Sequence, residues 1–181
     1  MTTTEENRQR ASQLKLMVFD VDGVMSDGGL FYSDEGVETK QFNCRDGLGL
    51  RLLQNSGLQI AIITGRKARC VEHRMANLGI DLLYQGVNNK LATLHELLAR
   101  LDLRADQAGF MGDDIIDLQA MAACGFSAAP ADSHPLALQQ AGFVSSLTGG
   151  HGAVREVCEF ILAAQGKLDA ALAPYLPATE K

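Results

Sequence analysis

The segment LMVFDVDGV at residues 16–24 constrains the fold of this chain more than any other stretch. Its apolar residues are typical of a strand buried on both faces of a parallel sheet, and Asp20 and Asp22 mark the end of that strand. Side chains two residues apart on a strand point to the same side, so the two carboxylates are predicted to converge. Because two anions repel each other, their convergence favours a hard divalent cation with oxygen ligands between them. Gly23 allows the chain to turn sharply directly afterwards.

Strand-like and helical segments alternate along the rest of the chain, which predicts one α/β domain built on a mostly parallel sheet. The length of 181 residues and the hydrophobic share of 46% suit a single domain with a sizeable core. Predicted strands cover residues 16–20, 59–63, 82–84, 108–111 and 126–128, and predicted helices cover residues 47–55, 67–78, 89–101, 115–123, 135–140 and 153–164. We expect the domain to span residues 14–166, with a flexible N-terminal segment over 1–13 and a C-terminal tail over 167–181.

Residues 28–42 interrupt this alternation and are predicted to form a β-hairpin around an Asp-Glu-Gly turn at residues 34–36. The hairpin is expected to project from the edge of the sheet that carries the two acids, where too few residues remain for a separate lid domain. Its apolar side chains favour pairing with symmetry-related copies, which predicts a symmetric oligomer, most simply a tetramer. These side chains are Leu30, Phe31, Tyr32 and Val37.

Composition and charge argue against several classes of partner and location. A net charge of -6 argues against a nucleic-acid or anionic-membrane partner. No apolar run reaches the ~18 residues needed to cross a bilayer, and residues 1–13 lack the apolar core of a signal peptide. The cysteines show no CxxC spacing, which is typical of reduced thiols in a cytoplasmic protein. They are Cys44, Cys70, Cys124 and Cys158.

Four groups of polar residues lie at predicted strand ends or helix starts, where open α/β sheets bind their ligands. Each group alone has an ordinary structural explanation, such as a turn, a helix cap or a solvated surface. Their occurrence together, in this order, favours one catalytic site. Asp117 is expected either to join that site or to support Lys90 or its own loop. The groups are Asp20 and Asp22, Thr64, Lys90, and the acids Asp113, Asp114 and Asp117.

Phosphoryl transfer explains why one site would contain all of these residue types. A carboxylate can attack phosphorus and form an aspartyl-phosphate, which divides hydrolysis into two steps. The transferred group carries negative charge on its oxygens, so Mg2+, an ammonium group and hydroxyl or amide donors must surround it. A second carboxylate can protonate the leaving alkoxide and then activate water.

In their order along the chain, these residues resemble the four motifs of the haloacid-dehalogenase superfamily of phosphatases. The resemblance implies a three-layer fold around a central parallel sheet, with the hairpin in place of a cap domain. It implies that Asp20 is the nucleophile and a Mg2+ ligand. It also implies that Asp22 is the general acid/base and binds the metal through its backbone carbonyl. Thr64 would bind the phosphoryl oxygens, Lys90 would neutralise their charge, and Asp113 would complete the metal site.

Arginine is concentrated beside the predicted site, in the segment from residue 45 to residue 74. Guanidinium groups bind carboxylates through paired hydrogen bonds, which indicates that the substrate carries an anion besides its phosphate. Arg66 and Arg74 would lie about 12 Å apart along a helix, a span that favours a phosphorylated sugar acid over a small phosphate ester. The arginines of this segment are Arg45, Arg51, Arg66, Arg69 and Arg74.

Longer stretches resemble one family within that superfamily, over residues 16 to about 168. They are Asp20-Val-Asp-Gly-Val24, Asn43-Cys-Arg-Asp-Gly47, Ile63-Thr-Gly-Arg-Lys67 and Gly149-Gly-His-Gly-Ala-Val-Arg-Glu-Val-Cys158. They are similar to the 3-deoxy-D-manno-octulosonate 8-phosphate phosphatases, capless tetramers of lipopolysaccharide precursor synthesis. The resemblance implies Mg2+, release of phosphate from an eight-carbon sugar acid, and a site completed by a neighbouring subunit. The implied substrate contacts are Asp22, Asn43, Cys44, Arg45, Asp46, Gly47, Arg51, Arg66, Arg74, Lys90 and Asp114.

Three other functions remain open from the sequence. A phosphatase of the same capless group could act on another sugar acid, such as a nine-carbon 9-phosphate. A phospho-acceptor receiver domain also gathers acids, Thr and Lys around Mg2+, but its phosphorylated Asp follows a middle strand, where this chain has Thr64. A similar module serves as a non-catalytic tetramerisation domain in some sialate-activating enzymes. The intact set of Asp20, Asp22, Lys90 and Asp113 argues against that third function.

Overall fold

Within residues 4–177, which the computed structural model describes, the chain forms eight strands. They are β1 (Leu16–Phe19), β2 (Phe31–Tyr32), β3 (Glu38–Thr39), β4 (Gln59–Ile63), β5 (Leu82–Tyr84), β6 (Ala108–Met111), β7 (Phe126–Ala129) and β8 (Phe143–Val144). Six of them form a sheet in the order β5-β4-β1-β6-β7-β8, in which every neighbouring pair is parallel. The predicted α/β class is confirmed, the five predicted strands agree to within one residue, and the short edge strand β8 is additional.

Helices cover both faces of this sheet. They are α1 (Thr4–Ser12), α2 (Cys44–Asn55), α3 (Arg69–Leu78), α4 (Lys90–Leu101), α5 (Leu118–Ala123), α6 (Pro135–Gln140), α7 (Ala153–Ala164) and α8 (Leu168–Leu172). Met17 and Phe19 of β1 face a core shared with α2, α3 and α7. Leu16 and Val18 face a second core, shared with α4 and α5. Alternate side chains of one strand therefore fill two cores, which produces the predicted three layers.

Some helix boundaries differ from the predicted ones because side chains cap the backbone. The helix predicted to start at residue 47 begins at Cys44, because Asn43 caps it. The helix predicted over 115–123 divides into a 3-10 turn at Ile115–Asp117 followed by α5, and the Asp114 carboxylate caps that turn. Within residues 4–177, no helix has the length and apolar character needed to cross a bilayer.

β2 and β3 pair antiparallel as the predicted hairpin and lie apart from the central sheet. The Ser33 N–H donates to the Val37 carbonyl across the turn (3.0 Å), and Gly36 has a φ of +76°, which favours glycine. About half of each apolar side chain on the hairpin is exposed: Leu30 46%, Phe31 54%, Tyr32 55% and Val37 59%. A contiguous exposed apolar set of this kind is typical of a surface that another molecule covers.

The first described residues form the helix α1, within the segment predicted to be flexible over residues 1–13. α1 packs against α7, with Ala11 fully buried, and the Asn7 side chain donates a hydrogen bond to the Gly142 carbonyl. Ala11 is the single apolar residue of α1, so the segment lacks the periodic apolar stripe that predicts a packed helix. Residues 1–3 lie outside the described part of the chain.

The predicted C-terminal tail over 167–181 begins as ordered structure. α8 packs against α7, and its Leu168 and Leu172 are partly buried against the core. A 3-10 turn at Ala173–Tyr175 follows, and residues 178–181 lie outside the described part of the chain. The division of the chain into a domain and two terminal segments otherwise stays a prediction.

Candidate active site

Three neighbouring strands bring the predicted catalytic residues together. β1 lies between β4 and β6 in the sheet. Asp20, Thr64 and Asp113 follow the ends of these strands, so they meet at the carboxyl edge, where open α/β sheets bind ligands. All three line a cavity of about 320 Å³, hereafter the catalytic cavity. Its lining also includes Asp22, Arg66 and Asp114.

Lys90, the first residue of α4, connects two carboxylates beneath this cavity. Its Nζ lies 2.6 Å from Asp20 Oδ2 and 2.6 Å from Asp117 Oδ1, and only 3% of its side chain is exposed. Burial acts to lower the pKa of Lys90, but Asp20 and Asp117 outweigh it and raise the pKa, so the side chain stays cationic. Burial raises the pKa of Asp20 to about 6, against the lowering effect of Lys90.

Asp117 connects Lys90 to the loop that carries Asp113 and Asp114. It is fully buried, and besides the ion pair with Lys90 its second oxygen accepts hydrogen bonds from the N–H groups of Asp113 (3.1 Å) and Asp114 (3.2 Å). Both carboxylate oxygens are therefore engaged by the protein. This geometry agrees with the second of the two expectations for Asp117, that it supports Lys90 and its own loop.

The acids at the strand ends fit a divalent cation. Carboxylate oxygens of Asp20, Asp113 and Asp117 lie within 4.8 Å of one another. Burial, and then the Asp20 and Asp117 carboxylates, raise the pKa of Asp113 to about 8, so this anion has too little positive charge around it. Because Asp20 and Asp113 line the catalytic cavity and the fully buried Asp117 does not, Asp20 and Asp113 are the side chains suited to hold Mg2+, a hard ion that takes few carboxylates. Gly23, with a φ of +81°, leaves the necessary space: a Cβ there would lie 2.1 Å from Asp113 Oδ2.

The Asp22 carboxylate does not belong to this cluster, and it accepts a hydrogen bond from Lys40 Nζ on the hairpin. Arg66 Nε lies 4.0 Å from the same carboxylate. The predicted metal contact of Asp22 goes through its backbone carbonyl and does not require this carboxylate. That role for Asp22 stays a prediction.

Sequence reasoning missed two charged residues of the hairpin, Glu38 and Lys40. Glu38 lies 2.7 Å from Lys40 Nζ and 2.7 Å from an Arg66 guanidinium nitrogen, and Tyr32 also contacts Arg66. Arg66 above all, with Lys40 adding to it and partial burial opposing it, lowers the pKa of Glu38 to about 2. The available signal was the spacing of Glu38 and Lys40, because opposite charges two residues apart on a strand share one face.

Four predicted substrate contacts line a second cavity of about 260 Å³, hereafter the arginine cavity. Arg74 donates to the Asn43 carbonyl (3.1 Å), and Arg51 donates to the Asn77 carbonyl (2.7 Å). A Cβ at Gly47 would lie 2.2 Å from an Arg74 nitrogen, so a larger residue there would displace the guanidinium group. The catalytic and arginine cavities share no lining residue. The predicted contacts in the arginine cavity are Cys44, Gly47, Arg51 and Arg74.

The remaining predicted contacts, Asn43, Arg45, Asp46 and the buried Lys90, line neither cavity. Asp46 is 2% exposed and accepts hydrogen bonds from the N–H groups of Gly152 (3.2 Å) and Arg155 (2.9 Å) at the start of α7. Burial raises the pKa of Asp46, although both N–H groups act to lower it. Asp46 therefore caps the N-terminus of α7. The burial of the Asp46 side chain does not support the predicted contact with substrate. Arg45 is exposed.

Comparison with known proteins finds close relatives of one kind. No family model matches the chain. A 3-deoxy-D-manno-octulosonate 8-phosphate phosphatase from Yersinia pestis is 52% identical over 163 residues, which cover 90% of this chain and 87% of that protein. The phosphatase of the same name from Escherichia coli K12 is 49% identical over 162 residues, with 90% of this chain and 86% of that protein covered.

A solved structure extends the similarity to three dimensions. The 3-deoxy-D-manno-octulosonate 8-phosphate phosphatase of Moraxella catarrhalis, in complex with magnesium ion, phosphate ion and KDO, has a TM-score of 0.94 at 41% identity. The match covers 96% of this chain and 100% of that one. Identity of this size over nearly the whole of both chains shows common family and fold. This chain belongs to the 3-deoxy-D-manno-octulosonate 8-phosphate phosphatase family of the haloacid-dehalogenase superfamily.

Proposed function

We propose that this protein is a magnesium-dependent phosphatase that hydrolyses 3-deoxy-D-manno-octulosonate 8-phosphate to the free sugar acid (KDO) and phosphate. The observation that carries the proposal is the buried Lys90, held 2.6 Å from the Asp20 carboxylate at the edge of the sheet where Asp113 also lies. The relatives named for this substrate support it. A role in lipopolysaccharide precursor synthesis, in the cytoplasm, is part of the proposal, and the four unpaired cysteines agree with a reducing compartment.

Asp20 is the nucleophile of the first step. One of its oxygens forms a bond to phosphorus while the bond between phosphorus and the sugar's 8-oxygen breaks. The electron pair of the broken bond goes to the sugar oxygen, which takes the proton of the Asp22 carboxyl group. The products of this step are an aspartyl-phosphate at Asp20, the free sugar acid and an ionised Asp22.

Asp22 acts as a base in the second step. A water molecule attacks the phosphorus and gives its proton to the Asp22 carboxylate. The bond between phosphorus and Asp20 breaks, its electron pair returns to the carboxylate, and inorganic phosphate leaves. Thr64 and Lys90 surround the phosphoryl oxygens, and the Lys90 ammonium offsets the negative charge that collects on them.

The metal complements these groups. Asp20, Asp113 and the backbone carbonyl of Asp22 would hold Mg2+, which neutralises phosphoryl charge when bound. The protein's own contribution is a rigid set of donors: Asp117 fixes the backbone of Asp113, and Lys90 fixes the carboxylate of Asp20.

A homo-oligomer, most simply a tetramer, is the second part of the proposal. The exposed apolar side chains of the hairpin favour burial between copies of the chain. In addition, the arginine cavity shares no lining residue with the catalytic cavity of the same chain, which agrees with arginines being supplied to each site by a neighbouring copy. A monomeric mass at micromolar concentration in light scattering would contradict this part.

A phosphate-release assay tests the reaction. The full chain is incubated with KDO 8-phosphate, a nine-carbon sugar-acid 9-phosphate and glucose 6-phosphate, each with Mg2+ and with a chelator. We expect Mg2+-dependent release, fastest from KDO 8-phosphate and slowest from glucose 6-phosphate, which lacks a carboxylate. Asp20→Asn protein, purified in parallel, controls for contaminating phosphatases.

The same assay separates the competing functions. Faster release from the nine-carbon substrate would reassign the sugar and leave the chemistry unchanged. A pure, folded sample that is inert towards every ester would favour the non-catalytic tetramerisation module instead.

A further inference from the structure

The hairpin places a buried lysine, Lys40, against the proposed general acid/base, and the steps above do not use it. Lys40 Nζ donates a hydrogen bond to the Asp22 carboxylate and lies 2.7 Å from Glu38 Oε1. The Lys40 side chain is 0% exposed, although it belongs to an arm whose apolar side chains are half exposed. Lysine is seldom buried without paired charge, so this position is specifically built for an ammonium group.

The Asp22 side chain has little else to restrain it. Asp22 lies on the loop after β1, and 21% of its side chain is exposed. Within residues 4–177, Lys40 is the only hydrogen-bond partner of this carboxylate, and the nearest other cation, Arg66, lies 4.0 Å away. A short side chain on a loop has several staggered conformers, whereas a general acid must lie within hydrogen-bond reach of the oxygen that it protonates.

We propose that Lys40 is a positioning residue, which holds Asp22 in the conformer that delivers a proton to the leaving alcohol. The inference rests on the proposed phosphatase function and adds to it the residue that orients the acid. Lys40 itself makes no contact with the substrate. It acts through Asp22 alone.

Glu38 completes the arrangement by linking Lys40 to Arg66. Its two carboxylate oxygens lie 2.7 Å from Lys40 Nζ and 2.7 Å from an Arg66 nitrogen. Asp22, Lys40, Glu38 and Arg66 thus alternate in charge, which allows the ammonium group to stay buried. Without Lys40, the nearest cation to the Asp22 carboxylate would be Arg66, 4.0 Å away, and the carboxylate would be drawn towards it and out of the conformer that Lys40 holds.

The leaving group reveals whether an acid is correctly placed. A basic alkoxide needs a proton as it departs, whereas p-nitrophenolate departs readily without one. A misplaced Asp22 therefore slows cleavage of alkyl phosphates more than cleavage of p-nitrophenyl phosphate. A general loss of structure would slow both equally.

The experiment measures kcat/KM of the full chain for p-nitrophenyl phosphate, phenyl phosphate and KDO 8-phosphate, whose leaving alcohols are increasingly basic. kcat/KM reports the steps up to release of the alcohol, so slow hydrolysis of the aspartyl-phosphate does not disturb it. For Lys40→Met we expect a loss below about 3-fold with p-nitrophenyl phosphate that grows to about 10- to 100-fold with KDO 8-phosphate. Lys40→Arg, which keeps a cation, should recover most of the loss.

Two further variants make the result specific. Lys167→Met removes an exposed lysine that donates to the Ser56 carbonyl far from the site, and it should leave all three rates unchanged. Adding Lys40→Met to Asp22→Asn should cost less than about 2-fold more, because Lys40 acts through Asp22. Lys40→Gln keeps a neutral donor in the buried position and replaces Lys40→Met if that variant does not fold.

An equal loss for every ester, no loss at all, or full additivity with Asp22→Asn would overturn the positioning role. These outcomes leave the proposed function intact, because the wild-type chain still turns over KDO 8-phosphate. A wild-type chain that hydrolyses no ester would overturn both.

Discussion

The catalytic cavity and the arginine cavity differ in how much of each one chain completes. At the first, the buried Lys90 pairs with the carboxylates of both Asp20 and Asp117, so the chemical groups are in place before any ligand arrives. In the second, Arg51 is exposed, and both Arg51 and Arg74 donate to backbone carbonyls of their own chain. In the proposed oligomer, one chain would build the reaction chemistry and a neighbouring copy would complete recognition of the sugar acid.

Among the substitutions considered, Asp20→Asn should remove the most activity, because it removes the proposed nucleophile of the catalytic cavity. We expect phosphate release to fall by at least about 10³-fold, because the carboxylate that attacks phosphorus is replaced by an amide of the same shape. Lys90 keeps its second carboxylate, Asp117, so the melting temperature should change little. Substantial residual turnover in a folded sample would mean that another residue is the nucleophile.

Asp113→Ala tests the metal at the same cavity. We expect activity to fall by roughly 100-fold or more, since the charge of the phosphoryl group loses its divalent partner. Mg2+ should raise the melting temperature of the wild-type chain but not that of the variant, because binding to the folded state stabilises it. Asp106→Ala, which removes an exposed acid paired with Arg104, is the matched control. An unchanged response to Mg2+ would contradict the ligand role of Asp113.

The residues of the catalytic site could be predicted from the sequence because each one lies at a strand end or a helix start that the local sequence pattern identifies. Asp20, Thr64 and Asp113 follow apolar strand runs, and Lys90 starts a helix, so the order of the strands in an α/β sheet suffices to bring them together. The sequence does not decide whether Asp117 joins the catalytic site or supports Lys90 and its own loop, because these two roles differ only in the direction of its carboxylate oxygens. The structure answers that by its contacts with Lys90 and with backbone N–H groups.

Other parts of the site depend on contacts between distant segments. Lys40 reaches Asp22 only because the hairpin folds back over the loop after β1, and no local pattern encodes that approach. Asp46 lies in a motif with predicted substrate contacts, yet the packing of α2 on α7 buries it as a cap. Helix α1 lacks apolar periodicity, and its packing against α7 buries a single apolar side chain of the helix, Ala11.

Arg66→Ala sharpens the comparison, because Arg66 is the one arginine that lines the catalytic cavity. We expect KM for KDO 8-phosphate to rise about 10- to 100-fold, the cost of losing a charged hydrogen bond to the substrate carboxylate. KM for p-nitrophenyl phosphate, which has no carboxylate, should change far less. Arg69→Ala removes a nearby exposed arginine that lines neither cavity, and serves as control. Equal effects on both substrates would mean that Arg66 binds the phosphate.

Mixing two defective chains tests directly whether the arginine cavity of one chain serves the catalytic cavity of a neighbouring copy. Arg74→Ala should lower kcat/KM for KDO 8-phosphate by about 10-fold or more, because the arginine cavity loses a guanidinium group. If that cavity serves a neighbouring copy, an oligomer co-expressed from Arg74→Ala and Asp20→Asn chains contains some intact sites. The catalytic residues of these sites come from the first chain and their arginines from the second. With random assembly, about a quarter of the sites are intact, so activity should recover to about a quarter of the wild-type value.

The control for this recovery is a mixture of two chains that are both defective in the catalytic cavity. Asp20→Asn with Asp113→Ala cannot form an intact site in any arrangement, since both residues must come from one chain. This mixture should stay inactive. If the Arg74→Ala mixture is equally inactive although mass measurements show mixed oligomers, each chain must bind its substrate with its own arginines. The two cavities would then have to join within one chain when substrate binds, and the separation seen between them would describe only the state without ligand.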